Sequence, residues 1–124
     1  MGVPRVNGQL SMTRAFGNGV HKRTGGPDPR DRPVTALPQL QDFELGANEF
    51  LILGCDGISE GSFPNADVVQ FAANRLQTSD PAQVACDICH EAINKGSKDN
   101  VSCIIVLPSH GGAGASTGCD HAGG

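Results

Sequence analysis

Apolar and polar positions alternate between two periods along the chain, and the change of period sets the order of elements. The densest early apolar run is Phe50-Leu51-Ile52-Leu53, which passes through Gly54 and Cys55 and stops at Asp56-Gly57. A short apolar run ending at a turn dipeptide predicts a buried strand over 50–55. Residues 39–45 place Phe43 and Leu45 on one side of Glu44, a period of two, so they are expected to pair with 50–55 as a hairpin through Gly46-Ala47-Asn48-Glu49. Leu40 is out of phase with them, which implies a bulge near Gln41-Asp42. Upstream, Leu10, Met12, Ala15 and Phe16 suggest a strand within 7–17, though little chain precedes it to supply partners. Downstream the period becomes helical. Val68, Val69, Ala72 and Leu76 mark one helix, with Asn65 expected as its cap and Asp67 in its first turn. Val84, Ile88 and Ala92 mark a second, with Asp80 as cap, Pro81 at the first helical position and Gly96 as the stop. Asn100 to Leu107 is rich in β-branched residues and predicts a closing strand. Strand, hairpin, two helices and strand make an α+β protein rather than alternating βαβ units.

Length and composition narrow this further. At 124 residues the chain is one domain or part of one. The Gly/Ala/Ser/His-rich stretch 109–124 lacks periodicity and is expected to be a disordered tail, leaving 1–108 to form the core. Trp and Tyr are absent and Phe occurs five times, so aliphatic residues must fill the interior. Charge is segregated along the chain. Residues 1–32 hold Arg5, Arg14, Lys22, Arg23, Arg30 and Arg32 against Asp28 and Asp31, while the remainder is strongly acidic. The stretch 18–33, full of glycine, proline and charge, reads as a long loop, either simply solvated or attracting an anionic, phosphorylated substrate. A nucleic-acid role is not supported, because a stacking set of aromatics is lacking and the net charge is −4. No apolar run reaches the length of a membrane span, and no signal peptide is evident. The five cysteines are therefore expected to be reduced thiols of a cytoplasmic protein, with the nucleus as the alternative.

Candidate chemistry gathers at two aspartates. Asp56 follows one predicted strand and Asp99-Asn100 precedes another. If those strands are antiparallel neighbours, both carboxylates come to one edge of the sheet. With no His or Cys ligand set beside them, such a site is oxygen-rich and suits Mg²⁺ or Mn²⁺ rather than zinc. Two unrelated turn aspartates remain the alternative, since Asp-Gly is a common turn dipeptide. Cys86-Asp87-Ile88-Cys89-His90 matches the haem-attachment spacing but lies within a helical pattern, so packing is the better reading. His21, His110 and His121 fall in the loop and tail. Gly25-Gly26 lacks the Lys-Ser/Thr and helix start of a phosphate loop, and no Ser or Cys nucleophile has an oriented base in view.

Three segments together resemble the metal-dependent serine/threonine phosphatases of the PPM family (type 2C). Arg5 to Asn18, RVNGQLSMTRAFGN, is similar to the family segment RVNGxLxxSRAxGD. Phe50 to Glu60, FLILGCDGISE, is similar to FLILACDGxWD, and Lys95 to Ser102 is similar to GSxDNMS/T. The resemblance covers roughly residues 5–108. It implies part of an αββα sandwich, an antiparallel sheet with a packed helix pair, whose N-terminal half lies outside these residues. It further implies hydrolysis of phosphoserine and phosphothreonine in phosphoprotein substrates by water at a two-metal Mg²⁺ or Mn²⁺ site. Asp56 and Asp99 correspond to metal ligands; Glu60, Asn18 and Asn100 are candidates for outer-shell or third-metal contacts. Asn18 and Glu60 stand where the family has Asp, and Ser59 where it has Trp. The family's DGHGG motif, further carboxylates, phosphate-gripping Arg and proton-donating His belong to the half not represented. Weak activity or none is therefore expected of the chain alone, with a non-catalytic binding module as the alternative and self-association through an exposed sheet edge as a consequence.

Overall fold

The computed structural model describes residues 2–108, so the expected tail 109–124 lies outside the described residues. Contacts divide the chain into two units, residues 1–43 and 44–124.

The second unit carries the regular structure. Strand β1 spans Leu51–Gly54, helix α1 Asn65–Arg75, helix α2 Pro81–Asn94 and strand β2 Cys103–Val106. The strands pair antiparallel, with Leu51 opposite Val106 and Gly54 opposite Cys103. The end of β1 therefore lies beside the start of β2. Side chains alternate as a pleated pair requires. Ile52, Cys103 and Ile105 turn toward the helices and join Phe50 and Val101 around a core of Ile58, Phe63, Val68, Ala72, Val84, Ile88 and Ala92. On the other face Leu53 and Ile104 are exposed.

Helix α2 is closed at both ends by local chemistry. The Asp80 carboxylate accepts the N–H of Ala82 at 2.8 Å, and Pro81 sits where no donor is needed. At the other end the N–H of Ser97 bonds the carbonyl of Ala92, and that of Gly96 bonds Ile93, both at 3.0 Å. This double closure is a Schellman motif, and it requires the left-handed φ of 96° that Gly96 adopts. Between the helices, Arg75 lies 4.4 Å over the Phe71 ring and pairs with Asp87 at 2.9 Å. Phe71 meets Phe63 edge to face at 5.7 Å.

The α+β class and the antiparallel pairing agree with expectation, and several boundaries do not. Residues 39–45 form no strand, and Leu40 and Phe43 are 86% and 62% exposed. Alternation alone could not provide the neighbouring strand that would bury them. Residues 7–17 make only isolated bridges, Val6 with Leu10 and Arg14 with Thr35. Asn7 and Gly8, at φ 49° and 72°, turn the chain where a strand would run straight. Asn65 is the first helical residue of α1 rather than its cap, which is Pro64. Cys55, Cys89 and Cys103 are free thiols, whereas Cys86 is disulfide-bonded, so the reduced reading does not extend to it.

Ile88 is fully buried at the centre of the core. Ile88→Ala is expected to lower unfolding free energy by about 2–5 kcal/mol, and Asp80→Ala by about 1 kcal/mol, both read from denaturant midpoints. Burial, with lesser contributions from Cys89 and Cys55, pushes the Cys103 thiol up to about 11, against an ordinary value of 9.0. Because the folded value is the higher, this stabilisation is complete below pH 9 and is lost as pH rises toward 11. Cys103→Ala should flatten the fall of thermal midpoint across that window; an unchanged slope would contradict it.

Candidate active site

The site is built where β1 ends and β2 begins. After Gly54 the chain enters a single 3₁₀ turn, Asp56–Ile58, closed by the N–H of Ser59 on the carbonyl of Asp56 at 3.1 Å. The segment preceding β2 lies against this turn. The N–H of Cys55 bonds the Ser102 carbonyl at 3.4 Å, and the N–H of Ser102 donates to the Cys55 sulfur at 3.3 Å. The Cys55 thiol in turn donates to the Asn100 carbonyl at 3.1 Å. The buried Ser97 hydroxyl donates to the Gly57 carbonyl at 2.7 Å. Glu60 reaches across with one carboxylate oxygen to accept the N–H of Lys98 at 2.7 Å. The two backbones approach so closely that a Cβ on Gly57 would lie 2.1 Å from the Asn100 carbonyl oxygen. Gly61 is similarly confined, 2.5 Å from the Lys95 carbonyl.

Asp56 and Asp99 are thus carried by two segments bound to each other at one end of the sheet, and both residues are exposed. One Asp99 oxygen accepts the N–H of Asn100 at 2.7 Å. Among the described residues no donor satisfies the Asp56 carboxylate. Glu60 and Asn100 belong to the same pair of segments, and one Glu60 oxygen is already committed to the loop. Asn18 belongs to the other unit, at a left-handed φ of 50°, with its carbonyl accepting the N–H of His21 at 3.0 Å. Sequence reasoning singled out the carboxylates but not the groups that hold them. Ser97, Gly57 and the sulfur of Cys55 carry that task, and only their place in the FLILGCDGISE and GSKDN segments hinted at it.

The donors fit a hard cation in kind, since carboxylate and carbonyl oxygens are what Mg²⁺ and Mn²⁺ take. In number they fall short. Among the described residues no group of three or more His, Cys, Asp or Glu side chains is gathered to hold a metal ion. Asp56 and Asp99 are not part of any such group. Cys55 is held below the usual thiol range by hydrogen bonding from Ser102.

A family model described as protein phosphatase 2C matches residues 1–101. Protein phosphatase 1B of Bos taurus is 33% identical over 110 residues, covering 87% of this chain and 22% of that protein. Protein phosphatase 1A of Homo sapiens is 33% identical over 107 residues, covering 84% of this chain and 28% of the relative. Among solved structures, a phosphatase from a pathogenic strain of Toxoplasma gondii superposes with a TM-score of 0.75 at 33% identity. That match covers 85% of this chain and 32% of the other. The chain spans between 22% and 32% of the length of these proteins.

Gly57→Ala places a methyl group against backbone that cannot move aside. It is expected to lower stability by about 3 kcal/mol and to shift the amide resonances of 97–101. Ser97→Ala leaves the buried end of the clamp without its donor, at a cost of about 1–3 kcal/mol in denaturant unfolding.

Proposed function

This chain belongs to the protein phosphatase 2C family, and from that membership we propose that it forms part of the active site of a protein phosphatase. The reaction is hydrolysis of phosphoserine and phosphothreonine in proteins, dependent on Mg²⁺ or Mn²⁺. The single observation supporting a retained site is the clamp that holds the Asp56 turn against the Asp99 loop at one end of the sheet. Asp56 and Asp99 are the metal-directed donors this chain brings, with Glu60 and Asn100 in outer contacts. The remaining ligands come from outside this chain, so the 124 residues alone turn over phosphopeptide weakly or not at all.

A second reading, a phosphatase-like module that binds without hydrolysis, is favoured by one observation. Among the described residues no three His, Cys, Asp or Glu side chains gather to hold a metal ion. One experiment separates the two. Mn²⁺ is titrated into the chain while its amide resonances are followed, and a phosphothreonine peptide is assayed in parallel. Metal-induced broadening confined to 55–60 and 97–100, at concentrations on the order of millimolar and abolished by Asp56→Asn with Asp99→Asn, is the expected result. No broadening in that range overturns the metal assignment in favour of the binding module. Rapid turnover by the chain alone overturns the view that the site is partial.

A further inference from the structure

The first unit contains a cavity of about 230 Å³ lined by Lys22, Pro29, Arg32, Val34, Ala36 and Leu37, among others. That volume accommodates one large apolar side chain, below the size usual for a drug-like ligand. Its surroundings are organised. Thr35 pairs with the 13–15 segment through the N–H of Ala15 and the carbonyl of Thr13, both bonds 2.9 Å long. Arg14 holds the Leu37 carbonyl at 2.7 Å. Val34 is fully buried, while Leu37 stays 41% exposed.

Two cations lie at this apolar cavity with donors to spare. Lys22 spends one N–H on the Ala15 carbonyl at 2.6 Å. Arg32 makes a single contact, at 3.5 Å to the Pro27 carbonyl. Among the described residues no carboxylate forms a salt bridge with either of them: Asp28, although it feels the charge of Arg32 at longer range, is held by the Arg30 guanidinium through both oxygens. Residues 1–43 hold six basic groups against Asp28, Asp31 and Asp42, whereas 44–124 hold three against ten acidic ones. The cavity thus combines an apolar lining with two cations outside any salt bridge among the described residues, on the basic part of an acidic protein.

We propose that this cavity is a docking subsite for an acidic peptide segment, taking one apolar side chain inside while flanking carboxylates meet Lys22 and Arg32. Charge complementarity selects the peptide, and the apolar lining separates it from a plain polyanion. The subsite does not depend on the phosphatase reading, since recognition needs neither phosphate nor metal.

The test uses the whole chain in metal-free buffer and fluorescence anisotropy of labelled peptides. One peptide carries a single Leu flanked by Asp and Glu. Comparison probes replace that Leu by Ser, replace the acids by Lys, or are polyglutamate and single-stranded RNA. The acidic Leu peptide should bind best and lose affinity as salt rises, and Arg32→Glu should weaken it about five- to tenfold. Lys22→Glu with Arg32→Glu should invert the preference toward the Lys-flanked Leu peptide, an outcome that misfolding cannot produce. Equal binding by the Ser peptide, polyglutamate or RNA would overturn the proposal. So would a double variant that retains the original preference, or no binding of the acidic Leu peptide at millimolar concentration. None of these outcomes bears on metal binding or phosphopeptide hydrolysis, so the two readings fail separately.

Discussion

The closest backbone approach at the site, Gly57 against the carbonyl of Asn100, is the constraint on which the second unit depends. Each neighbouring feature supplies something that approach requires. The β1–β2 register, with Gly54 opposite Cys103, sets the two segments side by side. The Schellman closure of α2 delivers Ser97 with its hydroxyl on the Gly57 carbonyl. Glu60 then secures the next residue of the loop through the Lys98 N–H. Remove the side-chain-free position and the polar groups above it lose their geometry, because a buried carbonyl needs its donor at a fixed distance.

What could be read from the chain was mostly what is decided locally. Asp80, Pro81 and Gly96 act on backbone within a few residues, so their meaning survives without tertiary context. The helical stripe of Val84, Ile88 and Ala92 was equally plain, since one face of a helix must be buried. Strand assignments at 7–17 and 39–45 failed for the opposite reason. A strand is stabilised by a neighbour, and neither alternation nor propensity says whether one is present. Phe16, Leu40 and Phe43 remain exposed in consequence, with Phe16 at 90%. The N-terminal limit of α1 moved by one residue because Pro64 already supplies extended backbone before the helix.

The candidate site divides along the same line. That Asp56 and Asp99 reach one end of the sheet followed from strand order and antiparallel pairing, a topological argument that required no coordinates. That Ser97, Gly57 and the Cys55 sulfur hold them there did not follow, because those bonds join residues roughly forty positions apart. The basic character of the 18–33 stretch was visible in composition, but not that Arg30 is spent on Asp28 while, among the described residues, Lys22 and Arg32 form no salt bridge.

Positioning and affinity are separable properties, and the clamp bears on the first. The cost of bringing two carboxylate-bearing turns together is met when the unit folds, so nothing further is spent on their backbones when additional ligands arrive. Affinity for a divalent cation depends instead on the number of oxygens that close around it. Among the described residues no three His, Cys, Asp or Glu side chains gather to provide them. A segment that fixes positions without completing coordination suits a chain spanning less than a third of its relatives. On the proposed reading it supplies the geometry of one side of a site, and the strength of metal binding would be determined by what meets it from the other.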